Sequence, residues 1–428
     1  MIRMDNKERK KARGFDVPMR SREYTDLVYG GGKIPDITSK MRETDEKLNP
    51  TESEYHIYVG EMHGHTDLSD ASPNIDTYFQ IARDTAKLDF CAISDHDHGS
   101  PISSELWKTM EEGNFHHAHS SEYYKSYVEK KCSKWDVIRE KVKEYAQPGT
   151  FTPILAYERD SYPWYNNLVI YFNSYDAEIP MPEVCGDMSE KELREFLSRE
   201  DMIVVPHTTS TPQSGCDFST MDPALYTPLI EVYSRWGTDE YYDNPNPVRY
   251  GVKGGYWQDA LKRGGKMGCI GGSDDHYGMP GMIMAEAPHI NLKYRFPGLT
   301  GVLAKENTLE SIFEAIKARR CYAFMGGRIE IDFRINGHYM GEEITLKEEE
   351  DRMIYMYVKA DKPIKRMTLV KNCEDIYHMD GNPLQDFHVM KEMFMDYKKV
   401  QDTDYYYLRV ELEDGRFGWT SPIWVNAE

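Results

Sequence analysis

The chain has 428 residues, more than one compact core usually supports, so a large domain with a smaller one is expected. Its formal net charge of −20 argues against nucleic acid or an anionic membrane as the main partner, because both require a basic face. The sequence contains neither an apolar stretch long enough to cross a bilayer nor a secretory signal, so we expect a cytoplasmic protein.

Residues 1–54 are polar and rich in charge, and they have no sustained hydrophobic periodicity. We interpret them as an extension that wraps the following domain or mediates assembly. A homo-oligomer is therefore an expectation for this chain.

From Tyr55 onward, short apolar runs alternate with segments of helical spacing, which is typical of parallel β/α architecture. The predicted strands are YHIYVGEMH, LDFCAISD, FTPILAYE, NLVIYFN, MIVVPH, LIEVYS and MGCIGGSD. The predicted helices are IDTYFQIARDTAKL, KWDVIREKVKEYA, SEKELREFLSRE, GYWQDALKRG and TLESIFEAIKARR, and Ser189 with Glu192 forms a capping-box pattern. The α/β domain is predicted to cover residues 55–325.

The pattern changes after residue 325, where strand and helix no longer alternate. The segments RIEIDFRIN, RMIYMYVKA, KRMTLVKN, YYYLRVELE and WTSPIWVN are short and alternating, with turn residues between them. This pattern is typical of a small β-sandwich, so residues 326–428 are predicted to form a second domain.

Five of the apolar runs in the first domain end on potential metal ligands. In GEMHGHTDLSD, His63 and His65 lie two residues apart and so point to the same face of a strand, as two ligands of one ion must. Asp70 follows within reach of the same loop. The other runs end in AISDHDHG, AYERD, VVPHTTS and GGSDDHYG, which supply Asp95, His96, Asp97, His98, Glu158, His207, Asp274 and His276.

In parallel barrels the catalytic groups collect at the carboxyl ends of the strands, so these side chains are expected to meet at one mouth. A mixed set of imidazoles and carboxylates suits Zn, Mn or Fe. Each piece also has a simpler interpretation. His207 would suit a hydrogen-bonded core position, and Glu158 a helix cap or an ion pair.

Taken in order, these five motifs resemble those of the PHP (polymerase and histidinol phosphatase) metallohydrolases. The segment KARRCYAFMGGRIEIDFRINGHYMG and the closing SPIWV resemble a branch that includes carbaryl-hydrolase-type proteins. The resemblance implies a distorted (β/α)7 TIM-like barrel that holds two or three divalent ions. By position, it implies one ion on His63, His65, Glu158 and Asp274, a second on Asp70, His96 and His276, and a third on Glu158 and His207, with Glu158 bridging.

One departure from the family pattern concerns the third ion. PHP phosphatases with three metals supply a further histidine between the motifs of Glu158 and His207, and this chain has Asn166 and Asn167 there. Asparagine is a weak neutral ligand, so a missing ion, a loosely held ion or substrate contacts at these residues are all open.

The implied reaction is hydrolysis by metal-activated water, with a phosphoester as the leading substrate. Arg159 and Arg235 are candidates to neutralise an anionic small-molecule substrate, with an ion pair as the alternative role for each. His98 is a candidate general acid, or else a hydrogen-bond partner of a ligand. Tyr277 is a candidate for the pocket wall.

Two other classes of function stay open. The carbaryl-hydrolase-like segment favours a carboxyl ester, carbamate or amide substrate, because an activated water attacks carbonyl carbon as well as phosphorus. The alternative from another class is a non-catalytic protein, either a metal-binding scaffold or a module whose C-terminal β domain binds carbohydrate or protein.

Overall fold

The computed structural model describes residues 53–69, 71–96, 134–159, 167–178, 189–212, 215–284, 296–382, 384–400 and 402–428. The predicted extension of residues 1–54 therefore lies almost wholly outside the described residues.

All seven predicted strands of the first domain are present. They are β1 (His56–Glu61), β2 (Phe90–Ile93), β3 (Thr152–Arg159), β4 (Leu168–Phe172), β5 (Met202–Pro206), β6 (Leu229–Ser234) and β8 (Gly268–Gly271), with a short β7 (Gly237–Thr238) after β6. Two further strands, β9 (Gly298–Ala304) and β10 (Cys321–Met325), were not predicted. Most of these strands are buried on both faces, which accounts for their nearly continuous apolar sequences.

The five predicted helices are also present. They are α1 (Ile75–Gln80), which continues as a π-helical turn over Ile81–Thr85, α2 (Lys134–Tyr145), α3 (Glu190–Leu197), α4 (Trp257–Lys262) and α5 (Leu309–Lys317). The predicted capping box is confirmed, because the Ser189 side chain accepts from the Glu192 backbone while the Glu192 side chain accepts from the Ser189 backbone. In the described part of the chain, no helix is long and apolar enough to cross a membrane.

The strands form a large mixed sheet, so the α/β class is confirmed. One path through it includes β10-β9-β1-β2-β3-β4-β5, while β7, β6 and β8 form a separate small sheet. A closed barrel of seven parallel strands is not confirmed. The prediction that all these strands are parallel is wrong for β4, which runs antiparallel to both β3 and β5. Apolar runs locate strands but carry no information about their direction.

This mixed topology places several strand ends at one edge. β1, β2 and β3 are parallel, and β5 shares their direction because two antiparallel steps separate it from β3. β4 therefore begins where β3 ends, with Leu168 opposite Arg159. A parallel bridge between Gly64 and Asp275 brings the segment after β8 to the same place.

The C-terminal region contains β11 (Ile329–Ile335), β12 (His338–Tyr339), β13 (Glu343–Leu346), β14 (Arg352–Ala360), β15 (Ile364–Lys371), β16 (Glu374–Asp380), β17 (Val389–Asp396), β18 (Thr403–Leu412), β19 (Phe417–Thr420) and β20 (Ile423–Ala427). One four-stranded sheet has the order β12-β11-β14-β17. The other strands belong to the large sheet, because β10 pairs with both β9 and β19. A domain boundary at residue 326 stays a prediction.

Candidate metal centre

His63 and His65 lie in the segment that follows β1, and both side chains are fully buried. Backbone hydrogen bonds hold this segment on two sides. The His65 amide donates to the Asp275 carbonyl at 2.8 Å, and the Gly64 carbonyl accepts from the Ser94 amide at 2.9 Å. The two imidazoles converge, with their Nε2 atoms 3.2 Å apart. The shared direction expected from their two-residue spacing is therefore present in the fold.

Glu158 lies among the histidine rings. Its Oε2 is 3.3 Å from Nε2 of both His63 and His65, and 3.2 Å from Nδ1 of His96. Its Oε1 is 3.5 Å from Nε2 of His207 and accepts a hydrogen bond of 3.2 Å from the Asn167 amide. Its two oxygens therefore face different histidines, as those of a bridging carboxylate would.

Asp274 is the second carboxylate at this point. Its Oδ1 is 3.0 Å from Nε2 of His65 and 3.7 Å from Nε2 of His63, while its Oδ2 accepts from the indole nitrogen of Trp236. The Asp274 backbone has a φ of 53°, in the left-handed region that non-glycine residues seldom adopt. Such a conformation persists only where the surroundings enforce it, and it is common at functional sites.

Four donor atoms, one each from His63, His65, Glu158 and Asp274, lie within 4.8 Å of one another. Bonds of about 2.0–2.2 Å to a tetrahedral ion place neighbouring ligand atoms roughly 3.3–3.6 Å apart. The measured separations run from 3.0 to 3.7 Å. The chemistry and the spacing of these buried donors therefore fit one divalent transition-metal ion.

A second group consists of His65, His96 and His276, each with a donor atom within 4.8 Å of the others. The rings of His96 and His276 stack against that of His65, with centroids 4.4 and 4.2 Å away. Asp70, the carboxylate expected to accompany them, lies outside the described residues. This group adjoins the first because His65 belongs to both.

Glu231 in β6 is a buried carboxylate that the sequence analysis missed. Its Oε2 is 2.9 Å from Nδ1 of His63 and its Oε1 is 3.0 Å from Nδ1 of His207. His63, His207 and Glu231 also meet the spacing for an ion, but the Nδ1 contacts leave Nε2 of both rings facing Glu158 and Asp274. The sequence signal was a single acid within the apolar run LIEVYS.

The charges of these groups are strongly coupled. Burial alone would lower the pKa of the His63 imidazole, but the neighbouring carboxylates, Glu231 foremost, raise that pKa well above its usual value. Burial alone would raise the pKa of Glu158, and the charges of His96 and His63 hold it well below its usual value instead. The pKa of Glu231 is likewise lowered against the effect of burial, by His63 and His207. An ion would therefore have to displace protons from these rings.

The other predicted site residues differ in position. Asn167 contacts Glu158, as described above, and Tyr277 is 41% exposed in the loop after the Asp274 motif. Arg159 is the last residue of β3, where the alternation of side chains points it away from the Glu158 carboxylate. His98 and Asn166 lie outside the described residues.

Arg235 requires a correction. Its side chain is fully buried and donates to the carbonyl oxygens of Met279 and Met282, so it fixes the loop after the Asp274 motif. In this position it does not present its guanidinium to a substrate. The sequence placed it near a strand end but carried no sign of the loop that covers it.

Comparison with known proteins adds three kinds of match. Residues 278–361 match the model of a family described as a protein of unknown function, DUF3604. An uncharacterized protein of Chlamydia pneumoniae is 24% identical over 387 residues, covering 86% of this chain and 57% of the relative. An uncharacterized protein of Chlamydia trachomatis is 25% identical over 408 residues, covering 88% of this chain and 58% of the relative. The chain thus spans less than three fifths of the length of these relatives.

Among solved structures, the chain is similar to a two-domain protein of Bacteroides vulgatus described as containing a predicted PHP-like metal-dependent phosphoesterase. The match has a TM-score of 0.41 and 14% sequence identity, and it covers 86% of this chain and 96% of the other.

Proposed function

We propose that this chain is a metal-dependent hydrolase of the PHP type whose substrate is a phosphoester. The observation that carries the proposal is the convergence of His63, His65, Glu158 and Asp274, four buried side chains from three separate segments, at ligand spacing. Burial of these carboxylates is costly unless positive charge balances them, and a bound cation would supply that charge in place of protons on the imidazoles. The choice of a phosphoester rests on the resemblance of the five ordered motifs to PHP phosphatases.

When bound, divalent ions lower the pKa of water and neutralise charge that develops on the group under attack. The chain's own residues set the geometry. Glu158 presents one oxygen to His63, His65 and His96 and its other oxygen to the His207 side, so it would border both the first and the third of the ion positions that the resemblance implies. Trp236 holds Oδ2 of Asp274 and leaves Oδ1 directed at the two histidines of the HxH motif.

Asn167 occupies the place where the family pattern has a histidine. Its amide donates to Oε1 of Glu158, so it orients the carboxylate from the His207 side. We propose a centre of two ions, Zn, Mn or Fe, with a third position weakened by this asparagine. We also retain as proposals the role of His98 as general acid, substrate contacts by Arg159, Asn166 and Tyr277, a cytoplasmic location and a homo-oligomer.

The test is turnover of a chromogenic panel by the full chain loaded with Zn, Mn or Fe. The panel contains a phosphomonoester, a phosphodiester, a carboxyl ester and a carbamate. We expect metal-dependent cleavage of a phosphoester that His63→Ala abolishes. Cleavage of only the acyl substrates would replace this proposal with a carbaryl-hydrolase-type activity. No turnover by a chain that binds metal would favour a non-catalytic metal-binding protein.

A further inference from the structure

The two oxygens of Glu231 divide between two histidines. Glu231 is 2% exposed in the middle of β6, with Oε2 at 2.9 Å from Nδ1 of His63 and Oε1 at 3.0 Å from Nδ1 of His207. The two rings lie 4.5 Å apart, nearly perpendicular at 82°. Glu231 therefore contacts His63, which belongs to the first ligand group, and His207, which lies next to Oε1 of Glu158.

This arrangement determines which ring nitrogen carries the hydrogen. A neutral imidazole has one N–H, and a carboxylate only accepts hydrogen bonds. In its neutral form each ring must therefore carry its hydrogen on Nδ1, which leaves a lone pair on Nε2; Oγ1 of Thr208 also lies 3.4 Å from Nε2 of His207. Those Nε2 atoms face Glu158, at 3.3 Å for His63 and 3.5 Å for His207. The lone pairs thus point to where the ligand atoms converge.

The surrounding backbone keeps the carboxylate in this position. Glu231 pairs with Ile270 across the parallel β6/β8 ladder. A Cβ at Gly272 would lie 2.2 Å from Oε2 of Glu231 and 2.5 Å from Cβ of His63. Glycine at position 272 therefore leaves the space that the contact between Glu231 and His63 occupies.

We propose that Glu231 is a positioning residue that fixes His63 and His207 in the same tautomer and directs Nε2 of both rings towards Glu158. The inference rests on the proposed metal centre. Replacement by glutamine distinguishes the contacts with His63 and His207, because an amide has one accepting oxygen and one donating nitrogen. The amide oxygen accepts from one ring as the carboxylate did. The other ring must accept at Nδ1 from the amide nitrogen, so its hydrogen lies on Nε2 and that nitrogen cannot bind an ion.

The experiment compares the wild-type chain with Glu231→Gln. Zinc affinity and stoichiometry are measured by competition with a chromophoric chelator, and the ring tautomers by ¹⁵N NMR of histidine-labelled, zinc-loaded protein. We expect one class of zinc sites to weaken by roughly 10–100-fold in Glu231→Gln, the usual effect of losing such a partner. We expect one ring of that variant to carry its hydrogen on Nε2.

Glu240→Gln is the matched control. Glu240 is equally buried but accepts from Tyr407, Arg409 and Trp419, so its substitution perturbs a buried carboxylate without touching a histidine. Zinc binding should stay at the wild-type level in this control. An equal loss of zinc in both variants would overturn the inference, because the effect would then be general destabilisation.

The wild-type spectrum tests the inference even if Glu231→Gln fails to fold. His63 and His207 should both show a protonated Nδ1, and a bare Nδ1 on either ring would overturn the inference. If the wild-type chain binds no ion, the proposed metal centre fails instead. The ¹⁵N spectrum of the metal-free chain then decides the role of Glu231 by itself, because a bare Nδ1 on either ring would contradict the contact with Glu231.

Discussion

Two buried groups of charged side chains in this chain differ in how their charges are paired. In the C-terminal region, the Lys371 ammonium lies 2.9 Å from Asp396 and 2.8 Å from Asp404, and Arg352 lies 3.3 Å from Asp396. Two cations thus balance two carboxylates, and Tyr406 donates to Asp396 as well. The polypeptide supplies every charge that this group needs.

The candidate metal centre lacks such a balance. Three carboxylates, Glu158, Glu231 and Asp274, meet five histidines, and no lysine or arginine forms an ion pair with them within the described ranges. With neutral imidazoles, the group would carry three uncompensated negative charges in a buried place, which is energetically costly. The Lys371 group is therefore a structural ion cluster, whereas the carboxylates of the candidate metal centre must be balanced either by protons on the imidazoles or by a cation from outside the chain.

The largest expected effect is that of Glu158→Ala. This substitution removes the carboxylate that contacts His63, His65 and His96, so metal affinity should fall by well over the ~10–100-fold typical of losing an outer partner of a ligand. Elemental analysis of the purified variant measures the loss, and circular dichroism checks the fold. A folded variant with wild-type metal content would contradict the assignment of Glu158 as a ligand.

Lys371→Met tests the ion cluster of the C-terminal region. It leaves Asp396 and Asp404 buried without their ammonium partner, so the free energy of unfolding should fall by about 3–5 kcal/mol, measured by urea denaturation, while metal content stays unchanged. The control is Lys365→Met, which breaks a pair with Glu411 in which the lysine is 51% exposed. In this control the free energy of unfolding should fall by at most about 1 kcal/mol. Equal effects of the two substitutions would mean that burial does not strengthen the Lys371 cluster.

Trp236→Phe should weaken the metal centre more gently. The indole donates to Oδ2 of Asp274, and its loss frees the carboxylate to turn, so we expect metal affinity to fall by roughly 10-fold, the lower end of the usual range. Competition with a chelator measures the change. Trp257→Phe is the control, since that indole donates to the Met267 carbonyl instead. A weakening of metal binding in the control alone would reverse the roles assigned to the two tryptophans.

Acid should weaken the Lys371 cluster. The Lys371 cluster lowers the pKa of Asp396 to about 2, even though burial favours a higher value. A carboxyl group whose pKa is lower in the folded state stabilises the fold above its unfolded pKa of about 3.9, and this contribution disappears as the pH falls through the folded value. Stability should therefore decline between about pH 4 and pH 2, with a smaller decline in Asp396→Asn. An identical pH dependence in that variant would contradict this assignment.

Much of the architecture could be predicted because hydrophobic periodicity encodes it locally. The seven apolar runs became strands, and reading the residue after each run identified His63, His65, Glu158 and Asp274, which the fold brings together. Strand direction was not predictable, because an apolar run reads alike in both directions. β4 is antiparallel, and for that reason Asn167 reaches the centre from the beginning of a strand rather than from its end.

Two residues at the site were harder to interpret from the sequence. Glu231 was missed because it lies inside the apolar run LIEVYS, whereas the predicted ligands follow the ends of such runs. Arg235 was a candidate for substrate contact with an ion pair as its alternative role, and its Nε lies 3.7 Å from Asp275. Nothing local in the sequence indicated that the loop around Met279 covers its side chain.

The most direct test of the central claim is elemental analysis of the full wild-type chain after loading with Zn, Mn or Fe and removal of excess metal. We expect two ions per chain, because two groups have the spacing for one ion: His63, His65, Glu158 and Asp274 form the first, and His65, His96 and His276 form the second, which shares His65. A folded chain that retains none of the three metals would contradict this expectation. The buried imidazoles and carboxylates would then have to balance their charges with protons alone.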